Sequence, residues 1–217
     1  NLKISSKINS FFKEMLLIFF NMFIRTMVLN IVFIISNRFA NNYGNSSLAA
    51  YTIGYNIWIF TSFFIDGYSN AGNALAGKFL GQKNNSKLKM LGNTLLKTNI
   101  KISLILVALY GITYPFIGNL FNQDIEVNDI FLGTFWIVII AQPFNAIAFT
   151  FDGIFKGLGR AIELRNTLAI GTFIVFIPTI YILNHFESGI YCIWTSLTLW
   201  MIFRGLSLFY IFRKTVN

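Results

Sequence analysis

The segment from Tyr51 to Gln82 reads YTIGYNIWIFTSFFIDGYSNAGNALAGKFLGQ, and it decides how the chain can fold. Most of it is apolar and long enough to cross a bilayer as a helix, yet Asp66 lies near its middle. A carboxylate at that depth costs about 2.5 kcal/mol or more even on lenient insertion scales, so ionisable residues inside a membrane usually serve a function. Asp66 is therefore the first candidate site residue.

Steps of three or four residues from Asp66 trace one polar stripe along the predicted helix. The stripe comprises Tyr55, Ser62, Asp66, Asn70 and Asn73, and it ends at Gly77. Beside it, the small residues Gly67, Ala71 and Ala74 form a face of the kind that lets another helix approach closely in lipid. The asparagines can act as hydrogen-bonding groups between helices, but an ionisable Asp is a costly substitute for that role.

The composition places the chain in a membrane. Its 217 residues are 55% hydrophobic, 18% aromatic and 12% charged, with a mean hydropathy of +0.63. A soluble domain of this size could not cover so much apolar surface. The single cysteine, Cys192, and the single histidine, His185, provide neither a disulfide framework nor a Cys or His metal site. We expect Cys192 to pack inside the protein and His185 to lie in a loop.

Windows of about twenty apolar residues predict an all-α fold with six transmembrane helices. The predicted spans are Met15–Ser36, Tyr51–Gly77, Ile102–Phe121, Phe131–Phe155, Leu168–Leu183 and Gly189–Phe212. The chain begins at Asn1 rather than Met, so we expect it to be a piece of a longer protein. The first apolar run lacks a cleavage site, so we expect no signal peptide.

The charges on the connections predict the orientation of these spans. Basic residues precede the first span and follow the second, fourth and sixth. They include Lys3, Lys7, Lys13, Lys78, Lys83, Lys87, Lys89, Lys97, Lys101, Lys156, Arg160, Arg165, Arg213 and Lys214. Acidic residues gather instead in the connection after the third span. By the positive-inside rule both termini are cytoplasmic. The net charge of +9 thus follows from topology, and we expect no nucleic-acid partner.

Two arginines lie within the predicted spans. Arg204 is two or three turns from the cytoplasmic end, so we expect its side chain to extend to the membrane surface. Arg25 is near the centre of the first span, at about the depth of Asp66 in the antiparallel second span. We expect an ion pair between Arg25 and Asp66, because pairing lowers the cost of burying both charges.

The fourth span carries a second polar cluster. In the sequence IIAQPFNAIAFTFDGIFKGLGR, the residues Gln142, Asn145 and Asp152 lie on one helical face. Pro143 removes a backbone donor and should bend the helix, freeing carbonyl groups toward any cavity that this face lines. A proline kink is also common in purely structural spans. Asp152 lies nearer the cytoplasmic end than Asp66, so water could reach it from inside.

These residues resemble a known family of transporters. The run FFIDGYSNAGNALAGKFLGQ resembles the eighth transmembrane helix of the multidrug and toxic compound extrusion (MATE) transporters, in particular the DinF-like branch. FDGIFKGLGRAIELRN resembles the tenth helix of that branch and FIRTMVLN resembles the seventh. The order, spacing and helix count match the C-terminal half, so the resemblance covers residues 1–217 as one C-terminal transmembrane bundle.

The resemblance implies half of a twelve-helix antiporter in the cell (inner) membrane, not an enzyme. It would export organic cations or amphipathic compounds by alternating access, driven by H⁺ or Na⁺, with no other cofactor. Its partners would be these small-molecule substrates, membrane lipids and the N-terminal six-helix bundle, without which this half should not transport. Asp66 and Asp152 correspond to the branch's C-terminal acidic residues. The sodium site of the NorM-like branch has its acidic residue where this chain has Asn145, so that site does not carry over.

From the residues alone, Asp66 beside Arg25 could change its charge state as the cavity opens, and a cationic substrate could compete with its proton. Three other readings stay open. The first is a lipid-linked oligosaccharide flippase of the same superfamily, which would need several cationic residues in its cavity. The second is a polytopic membrane transferase, which would need clustered carboxylates for Mg²⁺ or a His base. The third is a membrane scaffold subunit, which leaves the aspartates unexplained.

Overall fold

Long helices dominate the computed structural model, which describes residues 10–186 and 189–216 and contains no strand within those ranges. There are six of them, each long and apolar enough to cross a membrane. They are α1 (Ser10–Asn42), α2 (Asn45–Gly81), α3 (Asn85–Phe121), α4 (Ile125–Gly157), α5 (Ala161–His185) and α6 (Tyr191–Val216). The predicted all-α bundle of six membrane helices is thus confirmed.

The helices extend beyond the predicted apolar windows. The clearest case is α3, which begins at Asn85 rather than at Ile102. Asn84 caps it, because its side-chain carbonyl accepts a hydrogen bond of 2.9 Å from the backbone N–H of Lys87. The part of α3 before Ile102 carries Lys87, Lys89, Lys97 and Lys101, which hydropathy assigned to a connection. Hydropathy therefore locates the apolar part of each helix and misses the polar turns that continue the helix beyond it.

The helix pair α2 and α4 forms the centre of the bundle, with the most extensive contact of any pair. Glycines on α4 allow this approach. A β-carbon added at Gly153 would lie 2.6 Å from the backbone oxygen of Ser69, and one added at Gly157 would overlap the backbone of Asn73. Gly77 on α2 faces the carbonyl of Gly157 in turn. The two backbones therefore touch along two helical turns.

A small polar network joins α3 to this pair. The buried amide of Asn99 donates to Ser69 Oγ at 3.2 Å and to Thr150 Oγ1 at 2.7 Å, so one side chain connects three helices. Such bonds between membrane helices stabilise packing by about 0.6 kcal/mol each. Asn99 lay outside the predicted spans and was not a candidate in the sequence.

Helix α1 packs mainly against α5 and makes far less contact with α2, its neighbour in sequence. The middle of α5, Gly171–Phe176, is π-helical, and Pro178 is the second residue after it. Proline has no N–H to donate to the preceding turn, and the wider π turn accommodates that loss. This packing leaves an open groove between α1 and α2.

At the predicted outer ends, Tyr43 joins α1 to the last two helices. Its hydroxyl donates to Asn184 Oδ1 at 2.5 Å and lies 3.5 Å from the sulfur of Cys192. Burial raises the pKa of the Tyr43 phenol above its usual range, so the hydroxyl keeps its proton as a donor. Cys192 is buried, as predicted. His185 is the last residue of α5 rather than part of a loop.

We predict that Gly157→Ala destabilises the bundle by about 1–3 kcal/mol, because the added methyl group overlaps the Asn73 backbone, which cannot move as a side chain can. Gly111→Ala on α3 is the matched control, since a β-carbon at Gly111 meets nothing within 4 Å. Thermal unfolding of the full-length protein in detergent measures both. Equal midpoints for the two variants would contradict the predicted contact.

Candidate functional site

Four charged side chains from three helices meet inside the bundle, and we call them the charge cluster: Arg25, Asp152, Lys156 and Arg204. Asp152 on α4 is at its centre and is only 3% exposed. Its Oδ1 lies 2.5 Å from Arg25 Nη2 and 3.4 Å from Arg204 Nη2, and its Oδ2 lies 2.8 Å from Lys156 Nζ. Three cations thus contact one carboxylate.

The expected ion pair between Arg25 and Asp66 is wrong. Arg25 on α1 pairs with Asp152 on α4, and no oxygen of Asp66 lies within the 4.0 Å of an ion pair among the described residues. Depth matched Arg25 to Asp66, but α1 packs on α5 and leaves the groove on the α2 side. The long Arg25 side chain therefore reaches α4 instead. Its Nε atom is buried without a hydrogen-bond partner among the described residues.

The expectation that Arg204 extends to the membrane surface is also wrong, since Arg204 is 3% exposed. Its guanidinium carbon lies 4.6 Å from the ring centroid of Trp200, and Nη1 lies 3.2 Å from the sulfur of Met201. The indole N–H of Trp200 donates to Thr172 Oγ1 at 3.2 Å in the π-helical segment. Asp152, one aromatic face and one soft sulfur thus retain Arg204 inside the bundle.

Asp66 lies beside the charge cluster rather than within it. It is half-buried on α2, within electrostatic range of the four members of the charge cluster. In the predicted polar stripe, Ser62 is buried and donates to the carbonyl of Trp58 at 2.9 Å, Asn73 is half-buried, and Asn70 is exposed. Asp66 is therefore a carboxylate in a membrane helix without an ion pair to any residue that the structure describes.

Asp152 is inaccessible to solvent in this conformation, contrary to expectation, because the charge cluster covers it. Gln142 and Asn145 on the same helix are buried as well. Gln142 Nε2 donates to the carbonyl of Val138 at 3.0 Å, and Asn145 Oδ1 has no partner among the described residues. Pro143 lies between them within a helix that continues to Gly157. The bend at Pro143 stays a prediction.

The groove between α1 and α2 has a volume of about 350 Å³, and Tyr55 is one of its walls. Its lining carries no side chain that is charged at neutral pH: Asn30, Phe33, Ile34, Asn37, Tyr51, Thr52, Tyr55 and Asn56. Tyr55 stacks on Tyr51 with ring centroids 5.9 Å apart and meets Phe33 edge-on at 5.3 Å. The groove therefore offers aromatic faces and amide groups, and only Tyr55 among these residues was a candidate from the sequence.

The small-residue face of α2 does not pack against a helix of the described bundle. Gly67 and Ala71 are exposed, and so is Ala74. The close approach on α2 occurs instead at Ser69, Asn73 and Gly77 against α4. A helix partner for Gly67 and Ala71 stays a prediction. No group of three His, Cys, Asp or Glu residues that could hold a metal occurs in the part of the chain that the structure describes.

Comparison with known proteins decides the family. The MatE family profile matches residues 21–182, which is most of the chain. The chain belongs to the MatE family. It is 22% identical over 206 residues to DNA damage-inducible protein F of Escherichia coli K12, covering 94% of this chain and 44% of that protein. It is 23% identical over 186 residues to Protein DETOXIFICATION 42 of Arabidopsis thaliana, covering 86% and 36%.

The fold agrees with solved MATE transporters. A structure described as the outward-facing conformation of a multidrug resistance MATE family transporter of the MOP superfamily superposes with a TM-score of 0.86 at 17% identity. The match covers 100% of this chain and 49% of that one. This chain therefore spans less than half the length of these relatives. MATE family members are transporters, so the prediction that the chain is not an enzyme is confirmed.

We predict that Asp152→Asn lowers the free energy of unfolding by about 3 kcal/mol or more, because it leaves Arg25 and Arg204 buried without a counter-charge. Asp66→Asn makes the same chemical change at a carboxylate without an ion pair, so its effect should be much smaller. Thermal unfolding of the full-length protein in detergent checks both. Similar small shifts for the two variants would contradict the structural role of the charge cluster.

Proposed function

We propose that this chain is the C-terminal half of a twelve-helix antiporter that couples export of organic cations or amphipathic compounds to inward movement of H⁺ or Na⁺. One observation carries the proposal: Asp66 is half-buried in a membrane span and unpaired, while the neighbouring Asp152 already contacts three cations. An unpaired carboxylate is available to a proton or a cation. The family supplies the transporter class.

Charge balance supports a division of labour between the two aspartates. Arg25, Lys156 and Arg204 carry three positive charges against two negative ones on Asp66 and Asp152. Protonation of Asp66 removes one negative charge and increases repulsion among the three cations. Lys156 has the most exposed side chain of the three, at 30%. Its ammonium group can therefore lower this repulsion most easily, by moving into solvent. Asp66 thus changes its protonation state during transport, whereas Asp152 stays ionised and holds the three cations together.

The groove between α1 and α2 is the candidate substrate site of this half. Its volume of about 350 Å³ is in the range of drug-sized pockets. Aromatic faces attract organic cations and planar rings, and the amides of Asn30, Asn37 and Asn56 offer hydrogen bonds. Because no lining side chain of the groove is charged at neutral pH, recognition there does not require a formal charge on the substrate. Amphipathic compounds therefore fit it as well as cations.

The membrane context follows from the same proposal. Both termini would be cytoplasmic in the cell membrane, and an N-terminal six-helix bundle would complete the transporter. The exposed small residues Gly67 and Ala71 provide a smooth face for one of its helices. Lipid would cover the large exposed apolar side chains of the remaining surface, such as Phe63 and Ile105.

A second candidate gains support from the charge cluster. A lipid-linked oligosaccharide flippase needs several cations for its pyrophosphate, and Arg25, Lys156 and Arg204 converge at one point. Their charges are turned toward Asp152, however, and the groove beside α1 lacks cations. Transport of an anionic cargo that survives Asp66→Asn and fails in Arg25→Gln would favour this candidate over the antiporter.

We predict that Asp66→Asn in the full-length protein reduces gradient-driven efflux of organic cations to the level of empty vesicles, because the carboxylate can no longer exchange H⁺ or Na⁺. Transport into vesicles with separately imposed pH and sodium gradients measures this effect. Glu163→Gln is the control, since Glu163 pairs with Arg160 at 3.6 Å outside the charge cluster. Unchanged coupling in Asp66→Asn would overturn the proposal.

We predict that Tyr55→Ala raises the half-saturating substrate concentration about three- to tenfold, because the groove loses an aromatic wall worth on the order of 1 kcal/mol. Tyr210→Ala is the control, since Tyr210 is 70% exposed on α6 away from the groove. Initial transport rates across a substrate series measure both. Equal behaviour of the two variants would place substrate recognition elsewhere.

A further inference from the structure

A second, smaller pocket lies between α3 and α6, outside the charge cluster and the groove. Its volume is about 170 Å³, and it is lined by Lys89, Asn93, Phe209, Phe212, Arg213 and Val216. It lies near the first turns of α3 and the last turns of α6, the ends that the positive-inside rule assigns to the cytoplasmic surface. None of its lining residues takes part in the proposed transport steps.

Close packing of the two helices creates the floor of this pocket. A β-carbon added at Gly92 would lie 2.5 Å from the ring of Phe212, so only glycine allows α3 to rest against that ring. Phe212 and Val216 are buried, and Phe209 is half-buried beside them. The floor is therefore apolar and largely buried within the bundle.

The rim of the pocket is basic. The Arg213 guanidinium carbon lies 4.6 Å from the ring centroid of Phe209, which holds the planar group over the floor. Lys89 and Asn93 are one turn apart on α3, and Lys97 follows one turn later on the same face. The sequence has no Asp or Glu within Asn85–Phe121 or Tyr191–Val216. Both helices thus contribute positive charge without an acidic residue of their own.

We propose that this pocket binds the phosphate headgroup of an anionic membrane phospholipid. Arg213, Lys89 and Asn93 provide a guanidinium, an ammonium and an amide N–H. All three groups can donate hydrogen bonds to phosphate oxygens, and the two charged groups form the stronger, charge-assisted bonds. The apolar floor beside them can pack against the glycerol and the first methylene groups of a lipid. A free phosphate ion has no apolar part and would make no such contact. Basic pockets between membrane helices at the cytoplasmic surface have this chemistry in general. The lipid would hold α3 and α6 together where the pocket opens.

Native mass spectrometry of the full-length protein, after exchange into mixed micelles of phosphatidylglycerol and phosphatidylcholine, tests the proposal. We expect phosphatidylglycerol to be retained in preference to phosphatidylcholine. Removal of each basic side chain should weaken retention about fivefold, so Lys89→Ala with Arg213→Ala together should weaken it about 25-fold. Arg213→Glu provides a second variant that reverses the charge at a single exposed position.

Lys78→Ala with Lys87→Ala is the matched control, because it removes the same charge from basic residues that do not line the pocket. Equal loss of lipid in both double variants would show diffuse attraction to the surface and overturn the pocket. Displacement of the lipid by millimolar inorganic phosphate would indicate a free-anion site and overturn the lipid assignment. Wild-type retention in Arg213→Glu would overturn it too, and size-exclusion profiles verify that every variant is folded.

Discussion

The attraction between Asp152 and three cations is the constraint on which the rest of the bundle depends. The carboxylate is on α4, and its partners come from α1, α6 and α4 itself. In a low-dielectric interior, removing one member of such a group leaves the others without compensation, and the cost is several kcal/mol. The charge cluster therefore fixes the position of α1, which otherwise packs mainly on α5. The groove beside α1 is open as a consequence.

The charge cluster is supported in turn by packing that has no charge. Trp200 lies under Arg204 and donates to Thr172 in the π-helical segment, and Gly171 in that segment packs against the same indole. The wide turn of α5 is thus connected through one aromatic ring to the central carboxylate. On the other side, Gly153 and Gly157 bring α4 against α2 and set the distance between Asp152 and Asp66. Close packing of uncharged groups thus determines where the charged side chains of the cluster lie.

Sequence alone predicted the six spans and identified Asp66, Asp152 and Arg25 as charged residues inside them, because charge in an apolar segment is conspicuous whatever the fold. It did not predict which charges meet. Depth is readable from a membrane sequence, but lateral neighbours are not, since lipid-facing and buried faces are both apolar. Arg204 was assigned to the surface by its depth alone. The combination of Trp200 one turn before it and Asp152 at a similar depth on α4 was the signal that could have placed it inside.

The pairing of Arg25 with Asp152 has a consequence for biogenesis. The two residues are 127 positions apart, and ribosomes add about 5–20 residues per second, so roughly 6–25 seconds separate their synthesis. During that interval the Arg25 guanidinium lacks the carboxylate that it pairs with in the folded bundle, and an unpaired arginine in the bilayer centre is unfavourable. Helix α1 should therefore wait at the insertion machinery or near the lipid headgroups until α4 is delivered.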